Sequence, residues 1–151
     1  MTRRSLLAAV LCLAGASVAC GGAAKTSGFA TRSGAGEAVP AWVPAGATEL
    51  KLATAAGGSA SWLRFRLPSE GRAALEAELL RIPDGQVATL TFRAPKGVDW
   101  WFRGLVQVVP ARETTVVAAD VFSGAGRTVP AGTFVAFDRA SDAVYTWWAG
   151  L

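Results

Sequence analysis

The chain has 151 residues and is 52% hydrophobic, a composition that predicts one folded domain and argues against a disordered chain. Its formal net charge is +4, but from Ala41 onward eleven Lys and Arg residues stand against ten Asp and Glu residues. Such a nearly neutral domain has no phosphate-binding face, so we expect no nucleic-acid partner. The absence of histidine excludes Ser-His-Asp and Cys-His catalysis and the common imidazole zinc sites.

Residues 1–19 are typical of a secretory signal peptide. Arg3 and Arg4 form a basic start, and residues 6–19 form an apolar run of fourteen residues. A membrane-spanning helix needs about 20 apolar residues, so this run is short for a stable span. The arginine pair also resembles a twin-arginine signal, which carries folded proteins, so two export routes stay open.

The apolar run ends in Ser17-Val18-Ala19-Cys20, which resembles the lipobox of small bacterial lipoproteins, although a leucine-like residue is usual at the position of Ser17. In that family the cysteine thiol is acylated and the cysteine becomes the new N-terminus. The resemblance therefore implies a lipid on Cys20 and attachment to the cell membrane or the outer membrane. The alternative is ordinary cleavage after Ala19, which would give a periplasmic or secreted protein.

Residues 20–40 are interpreted as the lipidated cysteine and a flexible tether. The stretch is rich in Gly, Ala, Ser and Thr and shows no hydrophobic periodicity. A flexible chain of this length would hold the domain about 25 Å from the membrane. The predicted domain covers residues 41–151. Since Cys12 would leave with the signal, the domain has no disulfide, and we expect it to fold without a metal or cofactor.

Residues 49–52 and 61–67 alternate in hydrophobicity and predict strands. In the second stretch, period 2 turns Leu63, Phe65 and Leu67 towards the core, and it turns Trp62, Arg64 and Arg66 to the other face. A helix is then predicted from Ser69, its capping residue, to the turn that begins at Ile82. Apolar residues of its stripe include Leu75, Leu79 and Leu80.

Four further stretches, residues 87–93, 105–109, 114–122 and 133–138, predict strands, and residues 143–148 complete a terminal hairpin. The valine-rich stretches 105–109 and 114–122 are candidates for the sheet centre. The predicted fold class is α+β, with an antiparallel, meander-like sheet of about six or seven strands and one helix packed on one face. The stretches around Val43, Phe65 and Val144 also resemble small bacterial lipoproteins, a likeness that implies no known activity.

Six tryptophans are the unusual feature of the composition. Neighbours on a strand point to opposite faces, so one member of each adjacent tryptophan pair leaves the helix-covered face. If the other face of the sheet is open, these rings form an exposed aromatic surface that could bind a ligand or a partner. The candidate residues of this surface are Trp62, Arg64, Arg66, Trp100, Trp101, Trp147 and Trp148. The alternative is that these rings are buried as an additional core.

Carboxylates are the remaining acid–base candidates. Two of them about 5–9 Å apart could hydrolyse a glycosidic bond. Asp99, Asp138 and Asp142 each stand in a turn context, where Asp is favoured for bonding to the local backbone, so we predict turn formers and no catalytic residues. Two hypotheses remain: a non-catalytic envelope protein that binds a partner protein or a wall polymer, and a carboxylate-based hydrolase of an envelope polymer.

Overall fold

The computed structural model describes residues 22–87, 92–101, 106–108, 113–116 and 119–149. The strands are β1 (Lys25–Thr31), β2 (Thr48–Thr54), β3 (Ala60–Arg66), β4 (Leu79–Arg81), β5 (Phe92–Arg93), β6 (Val106–Val108), β7 (Glu113–Val116), β8 (Ala119–Gly124), β9 (Thr133–Asp138) and β10 (Ala143–Ala149). The α-helices are α1 (Arg32–Ala35), α2 (Ser69–Glu76) and α3 (Asp84–Val87), and two short 3₁₀ segments cover Gly36–Ala38 and Ala56–Gly58. The signal segment and Cys20 lie outside the described residues, as does most of the predicted strand over residues 87–93.

Seven strands form an antiparallel sheet in the order β1-β2-β3-β10-β9-β8-β4. It consists of two three-strand meanders, β1-β2-β3 and β8-β9-β10, which meet where β3 pairs with β10. The predicted antiparallel sheet is therefore confirmed, and so is the terminal hairpin of β9 and β10. A second sheet of three strands has the order β5-β7-β6.

The centre of the large sheet differs from the prediction. Strands β6 and β7 belong to the small sheet, and β8 stands near one edge of the large one. The middle strand is β10, in which five consecutive residues, 143–147, are buried. A strand covered on both faces carries a continuous apolar run. The sequence of residues 114–122 is also nearly continuously apolar, so composition alone could not tell which of the two stretches, 114–122 or 143–147, is the central strand.

The prediction of a flexible tether up to Pro40 is wrong for the part of it that the structure describes. Strand β1 pairs with β2 from Lys25 opposite Thr54 to Thr31 opposite Thr48. After β1 the chain folds under the sheet, where Ala35 and Val39 are buried. The physical reason is that small polar residues suit an edge strand, which needs few buried side chains because its neighbour supplies the hydrogen bonds.

Both faces of the large sheet are covered. One face carries a core that includes the predicted inward residues Leu63, Phe65 and Leu67, which are at most 1% exposed. Helix α2 packs on this face through Leu75, which is compatible with the predicted helix on a sheet face. It is not the single helix of the prediction, because α1 adds Ala35 to the same core and α3 adds Val87 to the core on the opposite face. The opposite face carries a second core, which contains Trp62 and Trp147 and against which part of the segment 94–101 packs.

Helix α2 is shorter than predicted, since it ends at Glu76 and the chain turns into β4. Leu79 of β4 lies opposite Gly124 of β8, while Leu80 is 56% exposed. Pairing with β8 therefore overrides a helical pattern in residues 79–82. The start also differs, because Pro68 occupies the N-cap position and Ser69 is the first helical residue.

Candidate functional site

The predicted tryptophan surface is largely interior. Trp62 is 5% exposed, and Trp101 and Trp147 are each 6% exposed. Trp62 lies directly opposite Trp147 in the β3–β10 pairing, so the two rings share one face of the sheet. These three residues therefore belong to the second core, and the alternative of a buried aromatic cluster is the one that the structure supports.

Trp101 is the centre of this aromatic cluster. Its ring centroid lies 5.6 Å from Tyr145, 6.0 Å from Trp100 and 6.2 Å from Trp147, each in an edge-to-face arrangement. Phe134 stacks on Trp147 at 5.3 Å. Each such pair stabilises the fold by about 0.5–1.5 kcal/mol, in addition to the stabilisation from the apolar area that it buries. The cluster holds the segment 94–101 against the sheet, which gives the aromatic residues a structural role.

Adjacent tryptophans on β10 do point to opposite faces, as predicted. Trp147 lies in the second core, whereas Trp148 packs on the helix-covered face, half-buried, with its ring 6.5 Å from that of Trp42. Trp100 and Trp101 both contact the second core, because this pair lies outside a strand and alternation does not apply. Trp148 and Trp100 thus keep part of their surface exposed.

The two predicted arginines differ in their partners. Arg64 lies over the ring of Tyr145, with 5.9 Å between the guanidinium carbon and the ring centroid. Arg66 Nε donates to Asp142 at 2.7 Å, and its Nη1 donates to Glu49 at 3.3 Å. These bonds, first that to Asp142 and then that to Glu49, raise the pKa of Arg66 above its ordinary value. Arg66 therefore ties the start of β2 to the β9–β10 turn.

Glu49 also carries backbone strain. It is the one non-glycine residue with positive φ in the described chain, at φ 50°. The pairing of β2 with β3 shifts register between Thr48 and Lys51, so Glu49 sits in a β-bulge. Left-handed backbone is unfavourable for side chains other than Gly, Asn and Asp. The bulge directs the Glu49 carboxylate to Arg66, a contact that sequence reasoning missed.

The three predicted turn carboxylates have different positions. Asp138 accepts hydrogen bonds from the backbone of Ala140 at 2.8 Å and from the hydroxyl of Ser141 at 2.6 Å. Its predicted local turn bonding is therefore confirmed. Asp142 lies in the same turn but bonds to Arg66, and Asp99 is exposed on a bend. Both Asp142 and Glu49 accept from one guanidinium, an arrangement typical of a structural ion pair.

An ion-pair network around Asp120 was not predicted. Its carboxylate accepts from Arg72 at 3.2 Å, from Arg139 at 3.1 Å and from Arg81 at 3.3 Å. Arg139 and Arg81 also reach Asp84, at 3.3 and 3.8 Å. The network joins α2, β4, β8 and the β9–β10 turn. Asp120 is the one charge within the apolar stretch 114–122, and that isolation is the signal that could have identified it.

Comparison of the chain with protein-family models, with curated proteins and with solved structures found no match. Among the residues that the structure describes, no group of three or more His, Cys, Asp and Glu side chains could hold a metal ion. Within the same residues, no helix has the length and apolar character needed to cross a bilayer. The interpretation of function therefore depends on the sequence pattern at Cys20 and on the contacts given above.

Proposed function

We propose that the chain is an exported bacterial lipoprotein, anchored to a membrane through a lipid on Cys20, whose domain has a non-catalytic binding or structural role in the cell envelope. The observation that carries this proposal is the basic start and apolar run that end at Ser17-Val18-Ala19-Cys20. A partner protein or wall polymer is the proposed ligand class. The alternative is a secreted soluble binding module, and the Cys20→Ser experiment below distinguishes it from the anchored lipoprotein.

The contacts of the acidic residues favour a non-catalytic role. A hydrolase of the glycosidase type needs a carboxyl group that gives a proton to the leaving group and a second one free to attack or to activate water. Asp138 is engaged in its own turn, Asp142 is bound by Arg66, and Asp120 is bound by three arginines. These three carboxylates thus have structural partners, which favours the non-catalytic role over the hydrolase.

The anchor is tested by changing Cys20→Ser in the full chain and fractionating the cells. We expect the protein to move from the membrane fraction to the soluble fraction, because each buried CH₂ of an acyl chain contributes about 0.8 kcal/mol to membrane binding. Mass spectrometry of the mature N-terminus of the unchanged protein should then show an acylated Cys20.

Cys12→Ser is the matched control, because Cys12 lies within the apolar run and would be removed with the signal. This variant should stay in the membrane fraction. An unmodified Cys20 amine, a different mature N-terminus, or a soluble protein before any substitution would contradict the proposal and favour the secreted module.

A further inference from the structure

Few residues separate Cys20 from the sheet in the sequence. Strand β1 begins at Lys25, five residues after Cys20, and β2 holds it through six residue pairs. Five fully extended residues span at most about 18 Å. A lipid on Cys20 would therefore hold one particular end of the seven-stranded sheet close to the membrane surface.

The strand register defines that end. Lys25 lies opposite Thr54, Thr54 opposite Ser61, Ser61 opposite Trp148, and Trp148 opposite Thr133. We call this row of five residues, together with the β2–β3 turn at residues 55–59 and the β8–β9 turn at residues 125–132, the anchor end. Trp148 is half-buried there and packs against Trp42. Lysine and tryptophan are the side chains that proteins place at the boundary between lipid and water, since each combines an apolar body with a polar tip.

Charge differs between the two ends of the sheet. On its strand ends and turns, the described anchor end carries the exposed cations Lys25 and Arg127 and one carboxylate, Glu78, which accepts a hydrogen bond from Thr128. The opposite end carries five carboxylates and four arginines, Arg66, Arg72, Arg81 and Arg139. The arginines bind Glu49, Asp84, Asp120 and Asp142, whereas the carboxylate of Asp138 accepts from its own turn. An anionic surface therefore attracts the anchor end more than the opposite end.

We infer that the anchor end rests against anionic phospholipid headgroups, with Lys25 at the lipid phosphates and the Trp42–Trp148 pair at the boundary of lipid and water. The inference depends on the proposed lipid on Cys20. It places the strands upright on the membrane, so that the β9–β10 turn points away from it. A strand of seven residues is about 23 Å long, which separates the two ends clearly.

The orientation is tested with two single-cysteine labels in the full, lipidated chain. Ser59→Cys places a thiol in the exposed β2–β3 turn at the anchor end, and Ala140→Cys places one in the exposed β9–β10 turn. Each thiol is labelled with a fluorophore, and the protein is reconstituted in vesicles of phosphatidylcholine and phosphatidylglycerol that contain headgroup-nitroxide lipid. We expect several-fold stronger quenching at position 59 than at position 140.

A charge variant gives a second, independent measurement. Lys25→Glu in the Ser59→Cys chain should weaken the quenching at position 59, while the protein still floats with the vesicles. Lys51→Glu, an exposed lysine in the middle of β2, is the matched control and should leave the quenching unchanged. Equal quenching at both positions in protein that floats would overturn the orientation and leave the anchor intact. Protein that does not float would overturn both.

Discussion

Thr146 is a fully buried hydroxyl in the middle strand of the sheet. It is 0% exposed, lies opposite Leu63 and Val135, and its Oγ1 has no hydrogen-bond partner among the described residues. A buried polar group without a partner costs about 1–3 kcal/mol. We therefore expect Thr146→Val to raise the free energy of unfolding by about 1 kcal/mol, measured by urea denaturation.

The matched control reverses the change two residues earlier on the same face. Val144 is 1% exposed, and Val144→Thr should lower the free energy of unfolding, because it adds a second buried hydroxyl to the same core. If Thr146→Val lowered the free energy of unfolding while Val144→Thr left it unchanged, the prediction would be wrong, because the hydroxyl of Thr146 would then be hydrogen-bonded in the folded protein.

Glu49 offers a second measurement at the scale of one residue. Because its φ is 50°, a glycine at this position relieves strain that a side chain imposes. Glu49→Gly should raise the free energy of unfolding by about 1 kcal/mol, since the lost contact with Arg66 is exposed and such contacts contribute little. Thermal and urea denaturation both report the change.

Thr48→Gly is the control for Glu49→Gly, because Thr48 is the neighbouring residue and does not have positive φ. Glycine there adds only backbone freedom to the unfolded chain and should lower the free energy of unfolding by about 0.5–1 kcal/mol. Destabilisation by both variants would show that the contact between Glu49 and Arg66 outweighs the strain.

At the scale of elements, β1 makes the boundary of the domain testable. A chain that begins at Ala41 lacks β1, the pairing with β2 and the buried side chains of Ala35 and Val39. Burial of one valine contributes about 1.5–3 kcal/mol, so we expect this chain to lose at least about 3 kcal/mol of unfolding free energy. Urea denaturation against a chain that begins at Gly22 measures the difference.

Addition of a separate peptide of residues 22–40 should restore part of the lost stability of the shortened chain, since the peptide can pair with β2 as β1 does. Equal denaturation midpoints for the chains that begin at Gly22 and at Ala41 would contradict a stabilising role of β1 and favour a flexible tether.

The hydrophobic pattern of the sequence correctly predicted those elements in which the apolar residues of the pattern are the residues that are buried. The faces of β3 followed from alternation, strands β9 and β10 followed from two apolar stretches around a turn, and Asp138 followed from turn chemistry. Strand β1 could not be predicted, because an edge strand needs no apolar alternation, and six of its seven residues are exposed. Residues 79–81 carry a helical pattern, yet β8 pairs with them; that partner lies about forty residues away.

At the scale of the whole molecule, the predicted tryptophan surface required that the sheet face opposite helix α2 be open to solvent. The pattern of β3 placed Trp62 on that face correctly, and alternation required one of Trp147 and Trp148 to lie there; the structure shows that it is Trp147. Nothing local in the sequence shows that Trp101 and its neighbours return to cover the same face, because this contact joins segments more than forty residues apart. The Asp120 network was missed for the same reason, since its arginines come from three separate parts of the chain.

The position of β10 has a consequence for synthesis and export. It is the middle strand of the sheet and the last described strand in chain order, and Ala143 pairs with Arg66, 77 residues earlier. The growing chain therefore emerges from the ribosome with the centre of its sheet missing, and pairings so distant in sequence form slowly. Under the proposed export, this order of synthesis suits the general secretory route, which threads unfolded chains, better than the twin-arginine route, which carries proteins that have already folded.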